Sequence, residues 1–462
     1  MQLTSFAANI RKLSKSRPNF RRDRVAFLLD VAASDTDVSR VPLLGGAALF
    51  KASVITSAEM AREVLVEQGD AFVKGPGLSY FARPLLGNGL LSSEREFHRR
   101  QRRMMAPAFV HKRIAEYADV IAARTEAAQA GFVDGATVDV AAAAMRLTLE
   151  IVGVTLFGAE VGPEADQIGE ALTAAMEHAV GALRSFIPIP PTWPTPANRR
   201  GLAAIARLDE TVYRLIDERR RTGNDRGDFL SMLLFAQDED DGGTMTNKQV
   251  RDEAMNIFLA GHETTANALA WAFHLLAQHP DVRTRLEHEV DTVLGGRTPS
   301  LADLKSMPYS LAVFKEAMRR YPPAYVVARR ATRPVDVLGH RVAKNEICVV
   351  NIIGMHHRAK YFPDPMRFDP SRFLPENEQA LAKQAFLPFG AGARICIGNH
   401  FALLEGQLAL VAMVQRVRLD RLPGAPEVLT EPLITLRPRG GMPMRVTRRM
   451  PARAEEPRAR AS

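Results

Sequence analysis

Apolar residues recur at helical spacing from about residue 56 to residue 320, so each segment offers one face to a core. A proline-rich stretch, FIPIPPTWPTPANRR, breaks the pattern and predicts a mobile connection inside one long helical region. After Tyr321-Pro322-Pro323 the period shortens. VVARRATRPVDVLGHRVAKNEICVVNI consists of short β-branched runs with turn signals at Gly339-His340 and Lys344-Asn345, which predicts a small sheet beside the helices. A coil, FPDPMRFDPSRFLPE, follows, and PLITLRPRGGMPMRV is expected to close the ordered chain as a hairpin. Thr246 and Gln249 form a capping box at the head of the helix that contains LAGHETTANALAW. The fold class read from this pattern is mainly α with small β-sheets, without internal repeats.

The longest apolar stretch, AAAAMRLTLEIVGVTLFGA, carries Arg146 and Glu150 and reads as a buried helix. Near the N-terminus the run VAFLL stops at Asp30, which fits neither a signal peptide nor a membrane span. A cytoplasmic protein with no transmembrane anchor is expected, its first ~20 residues flexible.

Composition then narrows the picture. With 462 residues and 46% hydrophobic content the chain can bury a large core, and length alone predicts two or three domains. Its only two cysteines, Cys348 and Cys396, exclude a disulfide scaffold and a four-cysteine zinc site and suit a reducing compartment. The net charge of +9 is spread along the chain without a basic face interleaved with aromatics, so an acidic protein partner explains it as well as nucleic acid does, and no nucleic-acid binding is expected. Part of the excess belongs to the tail, residues 447–462, expected to be disordered.

The chemistry concentrates in FGAGARICIG, Phe389 to Gly398. A thiolate framed by glycines can be a nucleophile or a metal ligand. The nucleophile needs a base, and the nearby candidate, His400, lies about one turn along the following helix, where reaching back is awkward. The ligand reading uses the whole stretch. Gly390 and Gly392 let the backbone turn tightly against a flat cofactor, while the helix N-terminus behind the sulfur favours its anionic form. Such a thiolate is a good axial ligand for haem iron.

Phe389, Gly390, Arg394, Cys396 and Gly398 stand in the register of the cysteine-ligand signature of the cytochrome P450 family, which this chain resembles from about residue 75 to residue 445. LAGHETTANALAW resembles that family's long central helix, with Ala260, Gly261, Glu263 and Thr264 on its oxygen-activation pattern. Ile257, Ala260, Gly261, Thr264 and Ala268 share one helical face, and a threonine hydroxyl there can bond back to a carbonyl one turn earlier. HRRQRRMMAPAF resembles the helix that binds a haem propionate; Arg102 fits, and His98 stands where the family usually has tryptophan, still able to donate a ring N–H. Arg329 and Arg394 match the other propionate-binding arginines. Glu316, Arg319 and Arg372 match a structural triad that fixes the coil before the cysteine loop. The resemblance implies one prism-shaped domain over residues 1–446.

It also implies a haem b monooxygenase that activates O2 with two electrons and hydroxylates or epoxidises a hydrophobic molecule, with Glu263 and Thr264 handling protons and Cys396 on the iron. No flavin or nicotinamide domain is present in the sequence. Electrons are therefore expected from NAD(P)H indirectly, through a ferredoxin or flavodoxin and its reductase, docking near Arg99, Arg100 and Arg103. Leu85, Leu86, Ala260, Val326, Val327 and Ile434 are expected to line an aliphatic substrate pocket. Fatty acids are placed slightly ahead of terpenoids, steroids or polyketides. A haem-thiolate sensor or electron carrier would need the cysteine without the Glu263-Thr264 pair, and a peroxygenase usually lacks that pair.

Overall fold

Asp23 caps the first described helix, α1 (Arg24–Ala33), its carboxylate accepting from the Ala26 amide. This computed structural model describes residues 23–45, 48–184, 193–237, 242–382 and 384–450. Strands β1 (Val38–Gly45) and β2 (Ala48–Ile55) pair antiparallel. Next come β3 (Phe72–Lys74), α2 (Arg95–Met105), β4 (Thr137–Asp139) and α3 (Val140–Phe157). Helices α4 (Ala165–Arg184), α5 (Pro196–Thr222), α6 (Asn247–Gln278) and α7 (Pro308–Arg320) complete the helical body. Four short strands follow, β5 (Val327–Ala331), β6 (Val335–Val337), β7 (His340–Val342) and β8 (Ile347–Val350). The chain closes with α8 (Asn399–Arg416), β9 (Val417–Arg421), β10 (Thr430–Pro432), β11 (Leu436–Pro438) and β12 (Pro443–Arg448).

One cluster of buried apolar side chains runs from Ala58 to Val446, so the domain division suggested by length does not occur and the architecture is a single mainly helical domain. At its centre lies α6, started by the expected capping box: Gln249 N–H donates to Thr246 Oγ1 and the Thr246 amide to Gln249 Oε1. Helix α3 packs along it. Val140–Phe157 is the described helix long and apolar enough to cross a membrane, and it is mostly buried inside the protein. Trp271 of α6 stacks on Tyr321 with ring centroids 4.1 Å apart and donates its indole N–H to Leu436 O at 3.1 Å.

The main sheet has the order β1-β2-β8-β5-β3, with β2 and β8 parallel and the other pairs antiparallel. The turn between β6 and β7 falls on Leu338 and Gly339, both at positive φ, one residue before the expected position. Regular structure begins earlier than the helical periodicity suggested, because β1 and β2 are extended only through their pairing with a strand near residue 350. The expected closing hairpin is not formed: β11 pairs back with β10, while β12 pairs with β4 and β9. Gly440 and Gly441, both at positive φ, turn the chain away between them, and a Cβ on Gly441 would stand 2.1 Å from Asp139 Oδ2. Thr447 and Arg448 still belong to β12, opposite Arg418 and Val417, so the boundary expected after residue 446 falls inside a strand. The expected flexible N-terminus and most of the expected tail lie outside the described residues, as does the first half of the proline-rich connection.

The coil before the cysteine loop is held from α7. Arg319 donates from Nε and Nη2 to the two oxygens of Glu316, each at 2.7 Å, and both side chains are fully buried. Arg319 Nη1 also donates to His356 O at 2.7 Å, the Asp369 amide donates to Glu316 Oε1 at 3.0 Å, and Arg372 Nε stands 3.6 Å from the same carboxylate. An E-x-x-R pair on an exposed helix contributes little. Here no water can replace either partner.

Removing Arg319 leaves a buried carboxylate unpaired, and Arg319→Ala is expected to cost about 3–5 kcal/mol. Urea unfolding checks it: Arg319→Lys, which keeps the charge and loses the two-pronged geometry, should also unfold well below the wild-type midpoint. A wild-type midpoint for the lysine variant would show that charge alone suffices.

Candidate functional site

The cysteine loop is built on backbone conformations that side chains disfavour. Gly390 and Gly392 have φ of 69° and 71°, and a Cβ on Gly392 would stand 2.1 Å from Leu65 O. The Cys396 amide donates to Phe389 O at 2.9 Å and closes the loop, after which α8 begins at Asn399. Cys396 is crowded by protein on most sides and is nevertheless reachable by water, which means that its thiol faces a hollow. Burial pushes the thiol up, while the Gly398 amide and the Arg102 guanidinium act in the opposite sense. His400 does not serve as a base against the thiol: its ring lies tilted against that of His111, with centroids 4.1 Å apart. The other cysteine, Cys348 in β8, is fully buried and pushed up to about 12, a packing residue.

Helix α6 shows a matching opening. From Val250 to Leu276 every residue is buried except Ala260, Gly261 and Thr264, which share one face at positions i, i+1 and i+4. Small residues there leave room for a flat group. Ile257 and Ala268, expected on the same face, are instead packed into the core. The Thr264 hydroxyl donates to Ala260 O at 2.8 Å. Its neighbour Glu263 points elsewhere on the helix, fully buried, and accepts from Thr435 Oγ1 at 2.6 Å. Burial raises the Glu263 carboxyl to about 7, against the opposing pull of the Thr435 hydrogen bond and the Arg437 charge.

Beside the cysteine loop, basic side chains outnumber their counter-ions. Lys74, Arg102, Arg329 and Arg394 all lie within electrostatic reach of His98. Lys74 and Arg329 are direct cross-strand partners in β3 and β5, a pairing of like charges that costs stability unless an anion lies between or near them. Arg394 pairs with Glu94, and Lys74 Nζ donates to Leu90 O at 2.6 Å and Ser93 O at 2.8 Å. Glu253, the other carboxylate nearby, is driven up to about 8, first by burial. Burial lowers Lys74 to about 7, Arg329 to about 10 and His98 to about 3, and mutual repulsion adds to each. His98 is therefore a neutral ring that can donate an N–H but brings no charge. Arg102 Nη1 donates to Ile395 O, one residue from the thiol, at 2.7 Å. A deep excess of cations next to a thiol suits a planar ligand that carries carboxylates at one edge.

Sequence reasoning reached four of these five basic residues and missed Lys74, whose only signal is a lysine ending the apolar run AFV. It also missed Thr435 and His356, because neither lies in a motif. His356 is fully buried, and its Nε2 accepts from the Leu387 amide at 3.0 Å. Two of the expected pocket residues need correction: Leu85 and Leu86 are sealed in the core at 1% and 0% exposure. Their carbonyls are held by Arg251 and Asn256 of α6, which pulls that turn against the helix and away from any opening. Val326, Val327 and Ile434 are half-buried, as a cavity wall requires.

Comparison with known proteins agrees with this geometry. The cytochrome P450 family profile matches residues 50–443. Cyclooctatin synthase of Streptomyces melanosporofaciens is 39% identical over 373 residues, spanning 79% of this chain and 80% of its own. Pentalenene oxygenase of Streptomyces avermitilis is 35% identical over 396 residues, spanning 85% of this chain and 87% of its own. Among solved structures, the heme domain of cytochrome P450DA superposes with a TM-score of 0.81 at 26% identity, covering 94% of this chain and 95% of that one. With that match across nearly all of the described residues, the chain belongs to the cytochrome P450 family and is a cytochrome P450 monooxygenase.

Proposed function

We propose that this monooxygenase hydroxylates or epoxidises a cyclic terpenoid. The observation that carries the reading is the naming of its relatives for cyclooctatin and pentalenene, together with an aliphatic wall of Val326, Val327 and Ile434. A fatty acid, placed first on sequence alone, would need a cation for its carboxylate, and these three positions offer none. Spectral titration of the ferric protein tests the choice. Cyclic terpene hydrocarbons and alcohols are expected to produce the substrate-induced spectral shift at concentrations about tenfold or more below those of C12–C18 fatty acids. The reverse order would return the reading to fatty acids.

The family implies haem, and the residues at the site fit it. Cys396 would hold its iron through the thiolate, Phe389 and Gly390 would pack against it from the cysteine loop, and Ala260 and Gly261 would leave room for it on α6. Lys74, Arg102, Arg329 and Arg394 would hold the propionates, with His98 donating a neutral N–H. Bound there, the haem iron supplies dioxygen activation, which thiolate ligation favours. The chain's own part is to exclude water and deliver protons. Thr264 holds its hydroxyl over the open face, bonded back to Ala260 O until a better acceptor arrives. Glu263 is the proton store behind it.

At about 7, the Glu263 carboxyl is largely protonated in mildly acidic solution and only about one tenth protonated one unit above that value. Since the acid form is the donor, the share of electrons recovered in product is expected to fall as pH rises through 7. Glu263→Gln should lower that share and flatten its pH dependence, which parallel measurement of product and hydrogen peroxide will show. A wild-type profile in the glutamine variant would remove Glu263 from proton delivery.

Electrons arrive from another protein in this reading, an acidic ferredoxin or flavodoxin. Arg99 and Arg103 are exposed on α2, the helix whose Arg102 touches the residue before the thiol. Charge steering over roughly 8–10 Å makes association on such a face sensitive to salt. Reduction by an acidic ferredoxin is expected to slow with ionic strength, and to slow strongly in Arg99→Glu/Arg103→Glu at low salt. Indifference to both would place the donor on another face.

A further inference from the structure

The proton-delivery role proposed for Glu263 leads to a second residue. Its Oε1 accepts from Thr435, whereas Oε2 is buried and has no partner among the described residues. Thr435 lies in the turn between β10 and β11 and is itself buried. Its hydroxyl has a single hydrogen. Asn267 Nδ2, one turn along α6, donates to that hydroxyl oxygen at 3.2 Å, which commits the hydrogen to Glu263.

The same hairpin brings charge. Arg437 of β11 acts on the Glu263 carboxyl electrostatically while being tied outward: Nε donates to Glu431 Oε2 at 2.8 Å, Nη1 to Thr173 Oγ1 at 3.2 Å, and Nη2 lies 3.6 Å from Glu177 of α4, which is exposed. From α6 itself the neighbouring titratable group is His262, fully buried, lowered to about 4 and bonded to Phe258 O, so it adds no charge. The carboxyl is thus flanked by one cation and one hydroxyl, both supplied by the C-terminal hairpin.

We propose that Thr435 is a positioning residue for proton delivery, fixing Oε1 of Glu263 so that Oε2 alone carries the exchangeable proton. Only O–H bonds change. In each cycle Oε2 gives up its proton and takes one back from water, while Oε1 stays held by Thr435.

The test compares Thr435→Val, which keeps the shape and removes the hydroxyl, with Thr435→Ser, which restores it; Thr435→Ala serves if the valine variant does not fold. The first readout is the infrared C=O stretch of the Glu263 acid, assigned by its loss in Glu263→Gln and followed against pH in the resting holoprotein. Removing a donor to the carboxylate should raise its midpoint by about one pH unit, and serine should return it. The second is the pH profile of coupling, expected to move upward with the infrared midpoint at unchanged substrate affinity. An unmoved midpoint, or an effect confined to substrate affinity or thermal stability, overturns the role of Thr435. If Glu263→Gln leaves coupling at wild-type values, the role of Glu263 falls too; if only the Thr435 variants are silent, Glu263 stands and Thr435 alone is rejected.

Discussion

The pairing of Glu316 with Arg319 is made where neither side chain reaches water, and the cysteine loop hangs from it by a chain of hydrogen bonds. Arg319 holds His356 O, and His356 accepts the Leu387 amide on Nε2. That acceptance places the ring's proton on Nδ1, which faces Arg319 O at 3.2 Å. Burial, and then the Arg319 charge, keep the imidazole neutral, as this arrangement needs. Leu387 O in turn receives the Gly390 amide, and Phe389 O receives that of Cys396. The thiol's position is therefore set from α7, far away in sequence, through groups that cannot exchange their partners for solvent.

A second constraint is electrostatic. Folding brings Lys74 opposite Arg329 and adds Arg394 and Arg102 nearby, with Glu94 pairing to Arg394. Such a cluster is unfavourable for the polypeptide alone, and a ligand with two carboxylates relieves it. On the proposed reading, stability given up in the chain would be returned on binding, and the site would select its cofactor by charge as well as by shape. Helix α6 adds the shape: three small or short residues stay open in an otherwise sealed helix.

Much of this was legible in the sequence because it is local. The capping box of α6, the back-bonded Thr264 and the glycines around Cys396 each follow from residues within a turn or two. What sequence could not show depends on pairing at long range. Strands β1 and β2, the partner exchange of β11 and β12, and the cross-strand contact of Lys74 exist only when distant segments meet. Leu85 and Leu86 fail for a related reason: an aliphatic residue reads alike whether it lines a cavity or fills the core, and here the carbonyl bonds to Arg251 and Asn256 decide. Thr435 carried no signal because the role proposed for it depends on contact with Glu263, 172 positions away in the sequence.

Helix α3 has a consequence for how the protein is made. It is apolar enough to suit a lipid interior, and what covers it is chiefly α6, which begins 90 residues after α3 ends. At roughly 5–20 residues per second, synthesis reaches the start of its main cover only about 5–18 s after that helix is complete. During that interval the nascent chain carries an apolar helix without the partner that covers it in the folded protein, and the packing of α6 along it removes that exposure.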